Sequence, residues 1–154
     1  MEGQLAETWN INNRINLYML DAIAAEALSG VSTSKGRNVG EQFAHMHNVR
    51  LMWLEPAAKD LMDGLAKVEK ENALDKDLLR RSLEVSGTAL ETLINRSEAA
   101  GGKVKGFKPH VTAFLGYLCA HEGYHRGEIG IILHQSGYKL DQKVAYGIWE
   151  WGAR

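Results

Sequence analysis

The sequence predicts an all-α protein, an antiparallel four-helix bundle with a short extra helix at its C-terminal end, and three observations carry that expectation. Two prolines in 154 residues leave long stretches without a helix breaker. No segment alternates β-branched and aromatic residues at a period of two, so strands are hard to place. Apolar residues recur instead at offsets of three and four, the spacing of one helical face. Four amphipathic helices without a sheet pack most economically as a bundle.

The first helix is expected over 6–28, with Trp9, Ile15, Met19, Ala22 and Ile23 on one face, ending before the breaker-rich SGVSTSKGRN. The second covers 39–54 and is ended or kinked by Pro56. A polar connection with a short helical stretch over 59–68 leads to a third helix over 75–99, which carries Leu79, Leu83, Leu90 and Leu93. AAGGKVKGFKP then breaks the chain. The fourth helix is expected to start at Pro109, a residue favoured in the first turn, and to end at Gly137, a residue favoured just past the last. Tyr146, Trp149 and Trp151 lie in a short terminal segment read as capping the end of the bundle, with the lining of a substrate pocket as the lesser alternative. The whole of 1–154 reads as one domain, a length that buries a core without disulfides.

Composition narrows the function. With 45% hydrophobic and 24% charged residues and a formal net charge of −1, no global field favours nucleic acid or an anionic membrane. The apolar stretch LYMLDAIAAEAL is interrupted by Asp21 and Glu26 and has no basic leader, so neither a signal peptide nor a membrane span is expected. One cysteine, Cys119, forms no internal disulfide and reads as a small buried apolar residue, in keeping with a cytoplasmic protein.

The fourth helix holds the chemistry. Its apolar stripe runs through Phe114, Leu118, His121, His125, Ile129 and Ile132, so two histidines fall in the core face. Residues four apart lie about 40° apart around a helix, and their imidazoles project side by side. Each buried imidazole without a partner costs roughly 1–3 kcal/mol, and protonating both adds repulsion. A shared divalent ion removes both difficulties. HEGYH at 121–125 is also a literal HExxH, the zinc peptidase signature, but the chain lacks a sheet to dock a peptide and has Glu128 and Ile131 where the longer form needs Gly and His. A di-iron carboxylate bundle needs Glu-x-x-His twice, and only Glu122 to His125 fits. Glu122, next to the ion, is a candidate general base or outer partner of the metal; its plainer reading is a solvated surface glutamate.

A third ligand must come from another helix. The second helix offers His45 and His47, which point about 200° apart and cannot both face one ion. The stripe Val39, Phe43, Met46 and Trp53 runs between them, and periodicity leaves the choice open.

His121, His125, Arg126, Gly127 and Ile129, together with VGEQFAH on the second helix, resemble the DinB/YfiT-like superfamily. The resemblance implies a four-helix bundle, commonly dimeric, with three histidines on a divalent metal. In the register of that family Val39, Phe43 and Met46 place His45 as the ligand and His47 as a flanking polar residue. Glu128 stands where glutamine is usual and Tyr124 where a further histidine often stands. The implied ion is zinc or nickel ahead of iron or manganese, since imidazole suits several metals. Similar proteins include transferases and isomerases that use a low-molecular-weight thiol. The expected function is therefore a metal-dependent enzyme, a thiol-dependent transferase or a hydrolase, acting on a small molecule. Its rival is a non-catalytic stress-response or interaction protein with a structural metal. Arg50 and Arg126 are candidates for binding an anionic substrate, although exposed arginines seldom do. Arg50, His47, Tyr124, Arg126 and Glu128 are the candidate surroundings of the site.

Gly116, Gly123, Gly130 and Gly137 recur every seven residues, with Gly127 beside Gly123. Each interior glycine costs about 1 kcal/mol relative to alanine, so a neighbour is expected to approach this edge closely, either another helix or a second subunit of a homodimer.

Overall fold

Side-chain caps and tertiary contacts set the helix ends. The computed structural model describes residues 3–154. Four long helices, α1 (Gln4–Asp21), α2 (Val39–Ala57), α3 (Lys76–Ala99) and α4 (Val111–Gln135), are followed by the short α5 (Gln142–Gly147). Asn38 opens α2 by accepting from the Glu41 N–H at 2.8 Å, and Asp75 opens α3 by accepting from Leu78 at 2.9 Å. Each satisfies one of the free N–H groups that every helix start exposes. At the other end of α4, Gly137 takes φ 89°, and the Tyr138 N–H reaches back to the Leu133 carbonyl at 2.8 Å. That left-handed residue and its bond close the helix where the sequence predicts.

Four expected boundaries move. The first helix stops at Asp21, and residues Ala25–Ser29 form a separate 3₁₀ turn. AIAAEAL contains no breaker, so the stop comes from outside the segment: the Lys76 ammonium takes the Asp21 and Ile23 carbonyls at 3.2 and 2.6 Å, and Arg80 pairs with the Asp21 carboxylate at 2.9 Å. The fourth helix starts at Val111 instead of Pro109, because His110 is extended and its Nδ1 accepts from the Ala113 N–H at 3.1 Å. Only Lys59–Met62 within 59–68 is helical, as a 3₁₀ turn, whereas α2 carries on past Pro56 to Ala57. Proline in a last turn forfeits a single bond, which the end of a helix tolerates better than its interior.

Helix α1 packs on α3 and α4, and α2 packs on the same two. The buried apolar residues form two clusters. One holds Met19, Phe43, Met46, Leu83 and Ile129, and the other holds Trp9, Leu54, Leu90, Phe114 and Leu118. On every long helix the two sets are separated by about a turn of buried polar residues: Asn12, Asn13 and Asn16 on α1, His47 and Arg50 on α2, Ser86 on α3, and Glu122 and His125 on α4. The core is thus two apolar layers with a polar layer between them, and that layer positions the site. No helix among the described residues is long and apolar enough to cross a membrane.

Candidate metal centre

His45 from α2 meets His121 and His125 from α4, and one ring nitrogen from each lies within 4.8 Å of the others. The rings face one another at centroid distances of 4.6–5.4 Å. His121 and His125 bring their Nε2 atoms to 3.2 Å, the close approach that a four-residue offset allows. His125 is buried, and the other two are partly open to solvent.

The surroundings fix which nitrogen of His125 is free. Its Nδ1 lies 2.6 Å from Gln42 Oε1 and 3.2 Å from Glu128 Oε2. Both are acceptors, so Nδ1 carries the proton and Nε2 keeps its lone pair for the centre of the cluster. Such outer acceptors hold a ligand ring in place and raise its basicity. All three imidazoles resist protonation. Burial lowers the pKa of His45 to about 4, helped by the Arg37 charge and by the other two rings. Burial likewise lowers His121 and His125, again with a contribution from Arg37. Neutral imidazole is the form that binds a metal. A tetrahedral ion at about 2.0–2.1 Å from each nitrogen sets those nitrogens about 3.3 Å apart. The His121–His125 pair already has that spacing, and no pair of ligand nitrogens in the set is farther apart than 4.8 Å. The donor set fits a divalent ion.

His47 lies outside the cluster, with both nitrogens engaged. Its Nε2–H donates to the Ala66 carbonyl at 2.8 Å, and its Nδ1 accepts from the Ser86 hydroxyl at 3.0 Å. Tyr124 is exposed, with its ring edge-on to His125 at 5.2 Å, and Tyr117 stacks on His121 at 6.0 Å.

Glu122 is no surface glutamate, being only 1% exposed. Arg50 holds it in a fork, Nε to Oε2 at 2.7 Å and Nη2 to Oε1 at 2.8 Å, while Asn12 and Asn16 donate to Oε1 at 2.9 and 2.7 Å. Burial alone would raise its pKa, but the Arg50 charge and the bonds from Arg50 and Asn16 hold it below the usual carboxylate value. A carboxylate so held is a poor proton acceptor. Arg50 and Arg126 are not exposed arginines either. Arg50 is fully buried and also donates to the Leu83 carbonyl, the Ser86 hydroxyl and Asn13 Oδ1 at 2.8–3.1 Å, with its guanidinium 4.8 Å from the Trp9 ring. Arg126 donates to Asn12 and Asn16 at 3.0 and 2.6 Å. The three asparagines, spaced one and three residues apart along NINNRIN, were the sequence signal for this network. Asparagine is a poor helix former, and several on one helix face point to buried polar partners.

Among the described residues, the glycine edge of α4 has no close neighbour. A Cβ added at Gly116, Gly127 or Gly130 would meet nothing within 4 Å, and one at Gly123 would meet only Arg126 Nη2 at 3.7 Å. Another helix of the same bundle is therefore not what the glycines accommodate. Gly123, Gly127 and Gly130 floor a cavity of about 580 Å³ whose walls include Leu140, Trp149 and Trp151. Trp149 is 74% exposed, so it lines that cavity instead of sealing the end of the bundle. Cys119 borders the same space, half-buried, its thiol pushed up to about 11 by burial.

In this all-helical chain three imidazoles from two helices form a candidate divalent-metal centre. The sequence profile of the DinB family matches residues 1–147, and the chain belongs to that family. No curated protein and no solved structure matches it significantly.

Proposed function

We propose that this protein is a cytosolic metal-dependent enzyme acting on a small molecule, a thiol-dependent transferase or a hydrolase, with His45, His121 and His125 as the ligands of a zinc or nickel ion. The observation that carries this reading is the convergence of three ring nitrogens within 4.8 Å in a chain of the DinB family. Openness favours catalysis over a structural metal, because His45 and His121 remain partly accessible, while structural zinc is usually closed by four protein ligands. When bound, such an ion supplies Lewis acidity that activates a water or a thiol at neutral pH. Around it, Gln42 and Glu128 orient the His125 ring, and Tyr117 backs His121. Glu122 belongs to the support of the site, and proton transfer falls to groups nearer the ion, among which Glu128 is the carboxylate closest to a ligand ring.

The antiparallel order of the helices is part of this reading, supported by the pairing of Trp9 with Gly87 and Asn13 with Leu83, and of Gln42 with His125 and Arg50 with Glu122. So is a homodimer, for which the open glycine edge of α4 is the candidate face. A monomer by light scattering at micromolar concentration would remove the dimer.

Metal analysis of protein purified without a histidine tag tests the centre. The expected result is about one divalent ion per chain, absent from His45→Ala and retained in His47→Ala. Metal retained in His45→Ala, or absent from the unaltered chain after reconstitution, would overturn the assignment.

A further inference from the structure

Three imidazoles explain how an ion is held; what approaches it depends on the segment between α1 and α2. That segment is fastened at several points. The Val39 N–H donates to the Gly30 carbonyl at 3.1 Å, the Thr33 N–H donates to Gln135 Oε1 at 2.9 Å, and the Ser32 hydroxyl donates to the Lys35 carbonyl at 2.8 Å. Gly30 lies so near Ser136 that a Cβ there would come within 2.6 Å of the hydroxyl. Lys35 takes φ 67°, a left-handed conformation costly for a residue with a side chain, and the chain reverses there towards the start of α2. Arg37 is presented by this anchored turn.

Arg37 is exposed and makes no hydrogen bond or ion pair among the described residues. Two cavities meet at it. One, of about 330 Å³, is lined by Arg37 together with His45, and the other, of about 360 Å³, is lined by Arg37 together with Gln42 and Glu128, the two residues that hold His125. No other residue lines both. These volumes suit a small molecule. The carboxylates nearby are partly committed: Glu69, in the first cavity with Glu41, pairs with Lys67 at 3.8 Å, and Glu128 faces His125. An unpaired guanidinium beside a metal centre offers a planar fork of donors, matched in shape and charge by a carboxylate.

We propose that Arg37 is a specificity residue that selects substrates bearing a carboxylate, gripping that group in the cavities beside the histidines while the reacting end of the molecule faces the metal position. The inference rests on the metal-centre reading and adds the substrate class to it.

The test uses the full chain loaded with cobalt(II), whose absorption reports thiolate binding, titrated with 3-mercaptopropionate and with 2-mercaptoethanol, each corrected for its thiolate fraction. The expected result is a preference of about tenfold or more for the carboxylate-bearing thiol, the size of one charged contact. In Arg37→Gln the preference falls to about twofold or less, with cobalt content and affinity for the neutral thiol unchanged; Arg37→Lys keeps part of it, since it retains the charge and loses the fork. Equal affinities in the unaltered protein, or a preference that survives Arg37→Gln, would overturn the assignment of Arg37 while leaving the metal centre intact. A chain that takes up no cobalt would overturn the metal reading, and this inference with it. Because Arg37 is exposed and makes no hydrogen bond or ion pair among the described residues, its replacement leaves a folded protein to measure.

Discussion

Neighbouring residues on α4 face two different regions. His121 and His125 turn to a cluster whose central nitrogens find only one another, whereas Glu122 and Arg126 turn to a network in which both Glu122 oxygens and the Arg126 Nη1 have partners from α1 or α2. Both regions bury polar groups in the same layer of the bundle. The Arg50–Glu122 pair is complete within the chain: both carboxylate oxygens accept, and each guanidinium nitrogen of Arg50 donates. The histidine region is complete only with something from outside. Polar atoms that the protein satisfies by itself hold the fold, and those it gathers and leaves facing one another are available for a ligand.

The largest effect should come from breaking the closed region. Glu122→Gln keeps the volume but leaves the buried Arg50 charge uncompensated, and loss of one partner of a buried pair costs about 3–5 kcal/mol. Urea unfolding should show that loss with or without metal. A variant of near-normal stability that had lost only activity would instead make Glu122 a catalytic base and reverse the contrast drawn here.

The open region should respond to its ligand. At a free metal concentration of about 100 times the dissociation constant, binding to the folded state alone adds about 2.7 kcal/mol. A chelator should remove that stabilisation from the unaltered protein and change nothing in His45→Ala. Equal effects of the chelator on both would place the metal elsewhere.

The two regions differed in how legible they were. The pair His121 and His125 could be read directly, since an offset of four fixes two side chains on one face whatever surrounds the helix. Periodicity left His45 and His47 as alternatives; the family register chose His45, and the contacts separate them, because Ser86 and Ala66 occupy both nitrogens of His47. The Arg50–Glu122 pair is 72 residues apart in the chain, and no local pattern joins residues so distant. Only the asparagines of α1 hinted at it. The same reason hid the end of α1, which is fixed by Lys76 and Arg80, and hid Arg37, whose place depends on how a loop is tied to Gln135. Gly137 and the long apolar stripes were readable because their causes lie within a few residues.

Gln42 sharpens the boundary between the regions, since it belongs to the chain's own hydrogen bonding and yet serves the open cluster. Gln42→Leu removes the closer of the two acceptors for the His125 Nδ1 proton. Loss of such an outer partner costs about 10–100-fold in metal affinity, and Glu128 at 3.2 Å should hold the loss to about tenfold. A competition titration against a chelator of known affinity measures it, and an unchanged affinity would mean that Gln42 does not hold the ring.

The gentlest probe is acid, applied to protein stripped of metal. His45, His47, His121 and His125 all have folded pKa values below their ordinary 6.5, chiefly through burial. As pH falls below about 6.5 the unfolded chain takes up protons that the folded chain refuses, so stability declines from there towards about pH 4, where the folded His45 itself is protonated. Glu122 acts in a separate window: its folded pKa lies below the ordinary 4.5, so the stability it contributes is lost only as pH falls beneath that value. Urea midpoints should therefore drop between about pH 7 and pH 5 for histidine reasons alone. The drop should be smaller in His45→Gln, which removes one of the four groups and leaves the closed network untouched. A midpoint that stayed level to about pH 5 would mean that the folded histidines accept protons as readily as free ones, and the cluster would then lack the neutral rings that a metal requires.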